Sequence, residues 1–108
     1  MSAVEVRDAA QEQRFEAVRD GEVVGFVTYQ VRAGRDGGPD VYALLHTEVD
    51  PAAGGGGVGS GLVRGVLETL RDNGFQVLPF CPFVRGWIER HTEFVDLVPE
   101  AARARFGL

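Results

Sequence analysis

Three side chains in this sequence have the chemistry of nucleophile, base and orienting carboxylate. Cys81 is the single cysteine and lies between an apolar run that ends at Phe80 and the helix-initiating Pro82. A thiol there would cap the following helix, whose positive end favours the thiolate. His46 and Glu48 lie in an earlier apolar run, two residues apart, and therefore on one side of a regular strand. We predict that Cys81, His46 and Glu48 form a catalytic group, with His46 and Cys81 approaching across neighbouring strands.

Each of these residues also has a structural interpretation. A lone cysteine is most often a small buried apolar residue, and an isolated histidine is more often structural than catalytic. A β-bulge between His46 and Glu48 would place their side chains on opposite faces of the strand. At the end of a predicted helix, Arg90 and His91 either reach an anionic ligand or end the helix in solvent.

A glycine-rich turn, Gly54-Gly55-Gly56-Gly57-Val58-Gly59-Ser60, follows the strand that contains His46. The apolar residues after this turn recur with helical spacing, so it joins a strand to a helix. Backbone amides at such a junction form a concave site for an anion. We predict that a phosphate binds there, with a merely flexible loop as the alternative.

Two common nucleotide sites do not fit these glycines. A P-loop needs a lysine after its glycines, but all eleven basic residues of the chain are arginine. Gly54, Gly56 and Gly59 have the spacing of a dinucleotide-binding motif. However, the preceding strands form a meander, and the strand after the helix does not end in an acidic residue. The sequence therefore argues against both a P-loop and a Rossmann domain.

The composition indicates one soluble domain over residues 1–108, with 44% apolar and 25% charged residues. We see neither an apolar run long enough to cross a membrane nor the features of a secretion signal in Met1 to Ala10. One cysteine agrees with a reducing compartment, so we expect a cytoplasmic protein. The net charge of −5 argues against a nucleic-acid partner. We expect no membrane partner and no metal site.

The elements that position these groups begin with three strands. Residues 13–18 alternate polar and apolar side chains, and Asp20-Gly21 is a hairpin turn into a second strand, Glu22 to Val31. A glycine-rich loop, Ala33 to Asp40, leads to the third strand, Val41 to Val49. The first half of the chain is therefore predicted to be an antiparallel meander.

The second half is predicted to complete a βαβ unit. The helix after the glycine-rich turn ends at Asn73-Gly74, and Phe75 to Phe80 forms a strand parallel to the third. A second helix begins at Pro82 with Phe83 and Trp87 in the core, and a short helix begins at Pro99. The expected fold is α/β, more strictly α+β. It is a mixed, mostly antiparallel sheet with a central βαβ unit and flanking helices.

Four segments resemble the small single-domain members of the GCN5-related N-acetyltransferase family. They are His46 to Val49, Gly57 to Val63, Val77 to Val84 and Glu89 to His91, and the resemblance spans nearly the whole chain. It implies that the third and fourth strands splay apart and admit acetyl-coenzyme A. The implied pyrophosphate ligands are the main-chain amides of the turn, and the main chain near Glu48 and Val49 would bond to the pantetheine arm. Similar small members of the family also have a cysteine at the place of Cys81.

The family pattern in this turn is Gln/Arg-x-x-Gly-x-Gly/Ala. Gly57 and Gly59 match it, whereas Gly54 stands where the family has a long polar side chain. The amides remain, so the resemblance still implies a backbone cradle. The implied cofactor-binding residues are Val49, Gly55, Gly56, Gly57, Val58, Gly59 and Ser60.

Two functions are compatible with these features. The first is transfer of acetyl from acetyl-coenzyme A to a primary amine, on a protein or peptide among other candidates, either directly or through Cys81. The second is a non-catalytic acyl-coenzyme A sensor or interaction module, which the small size favours. The acceptor and the oligomeric state are left open by the sequence.

Overall fold

The computed structural model describes residues 4–53 and 57–108 of the chain. One five-stranded sheet has the order β1-β2-β3-β4-β5. Neighbouring strands are antiparallel except β4 and β5, which are parallel. The predicted α+β fold, with a mixed and mostly antiparallel sheet, is confirmed. The strands are β1 Glu5–Ala9, β2 Arg14–Arg19, β3 Glu22–Arg32, β4 Val41–Val49 and β5 Gln76–Pro79.

The helices occupy the second half of the chain. They are α1 Val58–Asp72, α2 Pro82–Arg90 and α3 Glu100–Arg103, with short 3₁₀ turns at Ala10–Glu12, Pro51–Ala53, Thr92–Leu97 and Ala104–Phe106. In the described part of the chain, none is long and apolar enough to span a membrane. Gly74 has φ +76° directly after the α1 C-cap, as predicted for this helix end.

The helix α1 packs on the sheet through a continuous apolar face. The five residues predicted for this face are all 1% exposed or less: Leu62, Val63, Val66, Leu67 and Leu70. In α2, Trp87 is buried at 1% exposure, as predicted, but Phe83 is 44% exposed. The prediction of a core Phe83 is therefore wrong, because the ring lies against Gly59 at the start of α1 and keeps its outer side in solvent.

The strand β1 was not predicted from the sequence. It lies at the sheet edge beside β2. Its inward side chain Val6 faces Gly65 of α1, and Val4, just before the strand, faces Gly61. The apolar alternation of β1 is too short to identify a strand by itself. Its place depends on glycines that are distant in sequence and leave room for it.

A β-bulge interrupts β4 immediately before His46. Thr28 pairs with His46 and Tyr29 with Leu44, so Leu45 has no partner in β3. The pairing is regular from His46 to Val49, so the bulge leaves His46 and Glu48 on one face.

Candidate functional site

The two parallel strands separate at one end of the sheet. They pair from Val41 with Gln76 to Leu44 with Pro79, and the Cys81 amide then donates to the Leu44 carbonyl at 2.9 Å. Beyond that bond β4 continues to Val49, and no described strand pairs with its residues 45–49 on the β5 side. This leaves an opening between β4 and the start of α2, as the family resemblance implied.

Cys81 lies in this opening as the N-cap of α2, with Pro82 at the first helical position. The residue is 3% exposed, and its Sγ lies 3.2 Å from the Thr47 hydroxyl oxygen. A hydroxyl so close holds the thiol in one orientation, because either group can donate to the other. Thr47 was missed as a site residue. The sequence contained one signal for Thr47: side chains alternate along a strand, so Thr47 points to the face of β4 opposite His46 and Glu48.

His46 and Glu48 form a pair of their own. His46 Nε2 lies 3.1 Å from Glu48 Oε2, and their side chains are 60% and 61% exposed. Because β4 is regular here, both point to the face opposite Thr47. Among the described residues no hydrogen bond joins His46 to Cys81. The structure therefore brings Cys81 together with Thr47, whereas His46 lies beside Glu48.

The N-terminus of α1 presents backbone amides near the opening. Gly57 is the N-cap with φ +74°, and no side chain caps the helix. The first helical bond runs from the Gly61 amide to the Gly57 carbonyl at 2.9 Å. Within residues 4–53 and 57–108, no acceptor is recorded for the amides of residues 58–60, and the first turn has no acidic residue. The amides in the first turn of a helix are a suitable site for an anion.

The predicted glycines have different surroundings. A Cβ on Gly57 would meet nothing within 4 Å, so this glycine is required for its positive φ rather than for space. A Cβ on Gly59 would lie 2.9 Å from the Phe83 ring and 3.6 Å from Val49 Cγ2. Gly55 and Gly56, also predicted to bind phosphate, lie outside the described residues.

The other predicted contacts of this turn are main-chain groups. Val58 is buried at 2% exposure, so only its backbone is available to a ligand. The Ser60 hydroxyl accepts a 2.8 Å hydrogen bond from Trp87 Nε1.

His91 stacks on Trp87 with ring centroids 3.7 Å apart, and its Nδ1 lies 2.8 Å from the Trp87 carbonyl oxygen. These contacts favour the structural interpretation of His91.

The residues around the opening fit a coenzyme A molecule. The first-turn amides of α1 suit a pyrophosphate, and the edge of β4 that no described strand covers suits the amide groups of a pantetheine arm. Val49 and Phe83 flank Gly59 and supply apolar surface beside both groups.

A small cavity of about 290 Å³ lies at the start of β3 and the end of β4, and Glu48, Asp50 and Arg14 are its charged lining residues. Arg14 pairs with Glu16, so the two carboxylates give this end of β4 an acidic surface. A cation would bind more favourably here than an anion.

A family model described as GCN5-related N-acetyl-transferase matches residues 14–97, which include every strand except β1. No curated protein matches the chain with significant similarity.

Proposed function

The chain belongs to the GCN5-related N-acetyltransferase family, and on that basis we propose that it transfers acetyl from acetyl-coenzyme A to a primary amine. The observation that carries this proposal is the opening between β4 and α2. It combines the edge of β4 that no described strand covers, the first-turn amides of α1 and a nucleophilic side chain, Cys81. A binding protein would need the first two features and not the third.

The backbone is proposed to hold the coenzyme. The amides of Gly57, Val58, Gly59 and Ser60, together with the predicted Gly55 and Gly56, bind the pyrophosphate. The main chain of Val49 bonds to the pantetheine arm. Acetyl-coenzyme A supplies an activated thioester, and the chain supplies orientation and proton transfer.

The acceptor amine is proposed to approach from the face of β4 that carries His46 and Glu48. The pair is exposed and hydrogen-bonded, so it can accept the proton that an ammonium group must lose before it attacks. Glu48 and Asp50 attract a cation to the same place. This surface is open, which suits an amine on a protein or peptide better than an enclosed metabolite.

Two routes of transfer are compatible with this arrangement. In the direct route the ammonium group first gives one proton to His46, and the neutral amine then attacks the thioester carbon. The carbon–sulfur bond breaks, and the coenzyme leaves as the thiolate and takes the second proton, which the nitrogen loses as the amide forms. In the covalent route the acetyl carbon first exchanges its bond to the coenzyme sulfur for a bond to Cys81 Sγ. The thiol proton of Cys81 passes to the leaving coenzyme, and the amine then attacks the acetyl group on Cys81. Thr47 fixes the orientation of Sγ in either route.

A panel of amines and peptides incubated with acetyl-coenzyme A tests the function. We expect release of free coenzyme thiol with some acceptors, and loss of most of this release in His46→Ala and Glu48→Gln. Arg85→Gln, on the exposed side of α2, is the matched control. Coenzyme binding with no release above the acceptor-free rate for any amine would instead support the sensor or interaction module.

A further inference from the structure

A second cavity, of about 620 Å³, lies at the opposite end of β4 from Val49. Its walls are the loop from Ala33 to Pro39, the first residues of β4 and β5, and the segment from Pro99 to Arg105. It shares no lining residue with the α1 amides, with Cys81 or with the His46–Glu48 pair. The candidate acetyltransferase site therefore does not account for it.

Three arginines line this cavity: Arg32 and Arg35 at the end of β3 and in the loop after it, and Arg105 near the end of the chain. No acidic side chain is among the lining residues. Across residues 4–53 and 57–108, no hydrogen bond or salt bridge is recorded for any of the three guanidinium groups. By contrast, Arg7 and Arg14 both pair with Glu16. Like charges repel when they are brought together, so three unpaired cations at one cavity in a chain of net charge −5 indicate a place for an anion.

Two of the cations and part of the cavity wall are held in place before any ligand arrives. The guanidinium carbons of Arg32 and Arg105 lie 5.7 and 5.9 Å from the Phe80 ring centroid, a cation–π distance. The Gly34 amide donates to Asp40 at 3.0 Å, and the Gly38 amide donates to the Arg35 carbonyl at 2.8 Å. Preorganisation of this kind reduces the entropy that binding costs.

We propose that this arginine cavity is a second ligand site, for an organic anion with a carboxylate or phosphate on an apolar body. Guanidinium groups bind both oxyanions through paired N–H donors. Val41, Leu78, Pro99 and Ala102 supply the apolar lining, and the volume is that of sites for small organic molecules.

The sheet connects this site with the candidate catalytic face. Arg32 pairs with Val41, Gln30 with Ala43 and Thr28 with His46. Cross-strand partners share a face, and alternate residues of β3 share it too, so the floor of the cavity and His46 lie on the same side of the sheet. The anion therefore belongs either to the far end of the acceptor or to a separate effector.

Titration of the whole protein with 4-phenylbutyrate, phenyl phosphate and the neutral 4-phenylbutyramide tests the site. In ¹⁵N-resolved NMR spectra we expect the two anions, and not the amide, to shift the signals of Gly34, Ala101 and the Arg32 and Arg105 side chains. The double variant R32Q/R105Q should bind the anions at least about tenfold more weakly, with Arg85→Gln unchanged as the control. Equal binding of the neutral amide, or unchanged affinity in a folded double variant, would overturn the proposal.

This binding test needs no enzymatic activity, so the site and the acetyltransferase proposal fail independently. The source of the anion depends on the proposed function and follows from kinetics. If the acceptor carries it, R32Q/R105Q raises KM several-fold for amines that bear a carboxylate and leaves KM for neutral amines unchanged. If an effector carries it, the double variant removes the effect of added 4-phenylbutyrate on the rate for both kinds of amine.

Discussion

Cys81 is the residue that distinguishes the two reaction routes, because only the covalent route places the acetyl group on its thiol. It is the single cysteine, so any acetyl adduct has one possible thioester position. We expect intact-mass spectra to show one added acetyl group after incubation with acetyl-coenzyme A alone. Cys81→Ala should then abolish turnover and keep coenzyme affinity, and Thr47→Val should lower kcat about tenfold through loss of thiol orientation.

The direct route gives the opposite result. If no adduct forms and Cys81→Ala retains near-normal turnover, Cys81 is a packing residue. His46→Ala is then the more damaging substitution, because the amine still has to lose its proton.

Gly57 provides a sharper test of the phosphate cradle than a bulky substitution would. Its φ is +74° and its side-chain direction is open, so Gly57→Ala adds strain of about 1 kcal/mol without a clash. Relief of that strain would turn the adjacent amides, and we expect calorimetry to show several-fold weaker coenzyme A binding.

Gly21 is the matched control for Gly57. It has φ +80°, is equally open and lies in the remote β2–β3 turn. Gly21→Ala should therefore cost similar stability and leave coenzyme affinity unchanged. If both variants bind coenzyme A equally well, the α1 amides do not hold the pyrophosphate.

At the scale of elements, we expect alanine at two helical glycines to change stability in opposite directions. A Cβ on Gly65 would lie 2.4 Å from Val6 Cγ2 and 3.0 Å from Val6 Cβ, so β1 would have to move away from α1. In α2, a Cβ on Gly86 would meet only the end of Arg90, at 3.5 Å. We expect Gly65→Ala to destabilise by about 1–2 kcal/mol and Gly86→Ala to stabilise by about 0.5–1 kcal/mol.

Urea unfolding of the two variants measures this difference. Val6→Ala should recover most of the stability lost in Gly65→Ala, since it removes the atoms that clash. If Gly65→Ala is as stable as Gly86→Ala, β1 does not pack against α1 as the structure describes.

At the scale of the whole molecule, Glu16 and Tyr29 are two of the groups that make stability depend on pH. Hydrogen bonds from Arg14 and Arg7 lower the pKa of Glu16. The stability that ionised Glu16 contributes is therefore present above its unfolded-state pKa of about 4.3. It is lost as pH falls through the lower pKa of the folded state. Burial, with a hydrogen bond to Asp8, raises the pKa of Tyr29. The stability that protonated Tyr29 contributes is complete below about pH 10 and is lost as pH rises further.

The free energy of unfolding at about pH 3, 7 and 11 separates these contributions. Glu16→Gln should cost about 1–3 kcal/mol at neutral pH and much less at pH 3. Tyr29→Phe should lessen the loss of stability at high pH. A cost of Glu16→Gln that is constant with pH would mean that its charge pairing does not stabilise the fold.

The sequence by itself determined the elements whose signals are local. The Asp20-Gly21 hairpin turn, the Gly74 helix end and the apolar face of α1 all follow from turn chemistry or helical spacing, and each lies as predicted. Gly57 and Gly59 likewise identified the start of α1. A positive φ at Gly57 and a close contact at Gly59 both favour glycine, so the residue type itself is the signal.

Tertiary structure alone decided which side chains meet. The Leu45 bulge and the alternation of β4 turn Thr47 toward Cys81 and His46 away from that face, a consequence of strand pairing that residue types do not encode. Likewise, the place of β1 depends on the absence of a Cβ at Gly65, and the arginine cavity assembles cations from two distant segments. Contacts between residues far apart in sequence form only when the strands pair and the helices pack on the sheet, so no local sequence pattern contains them.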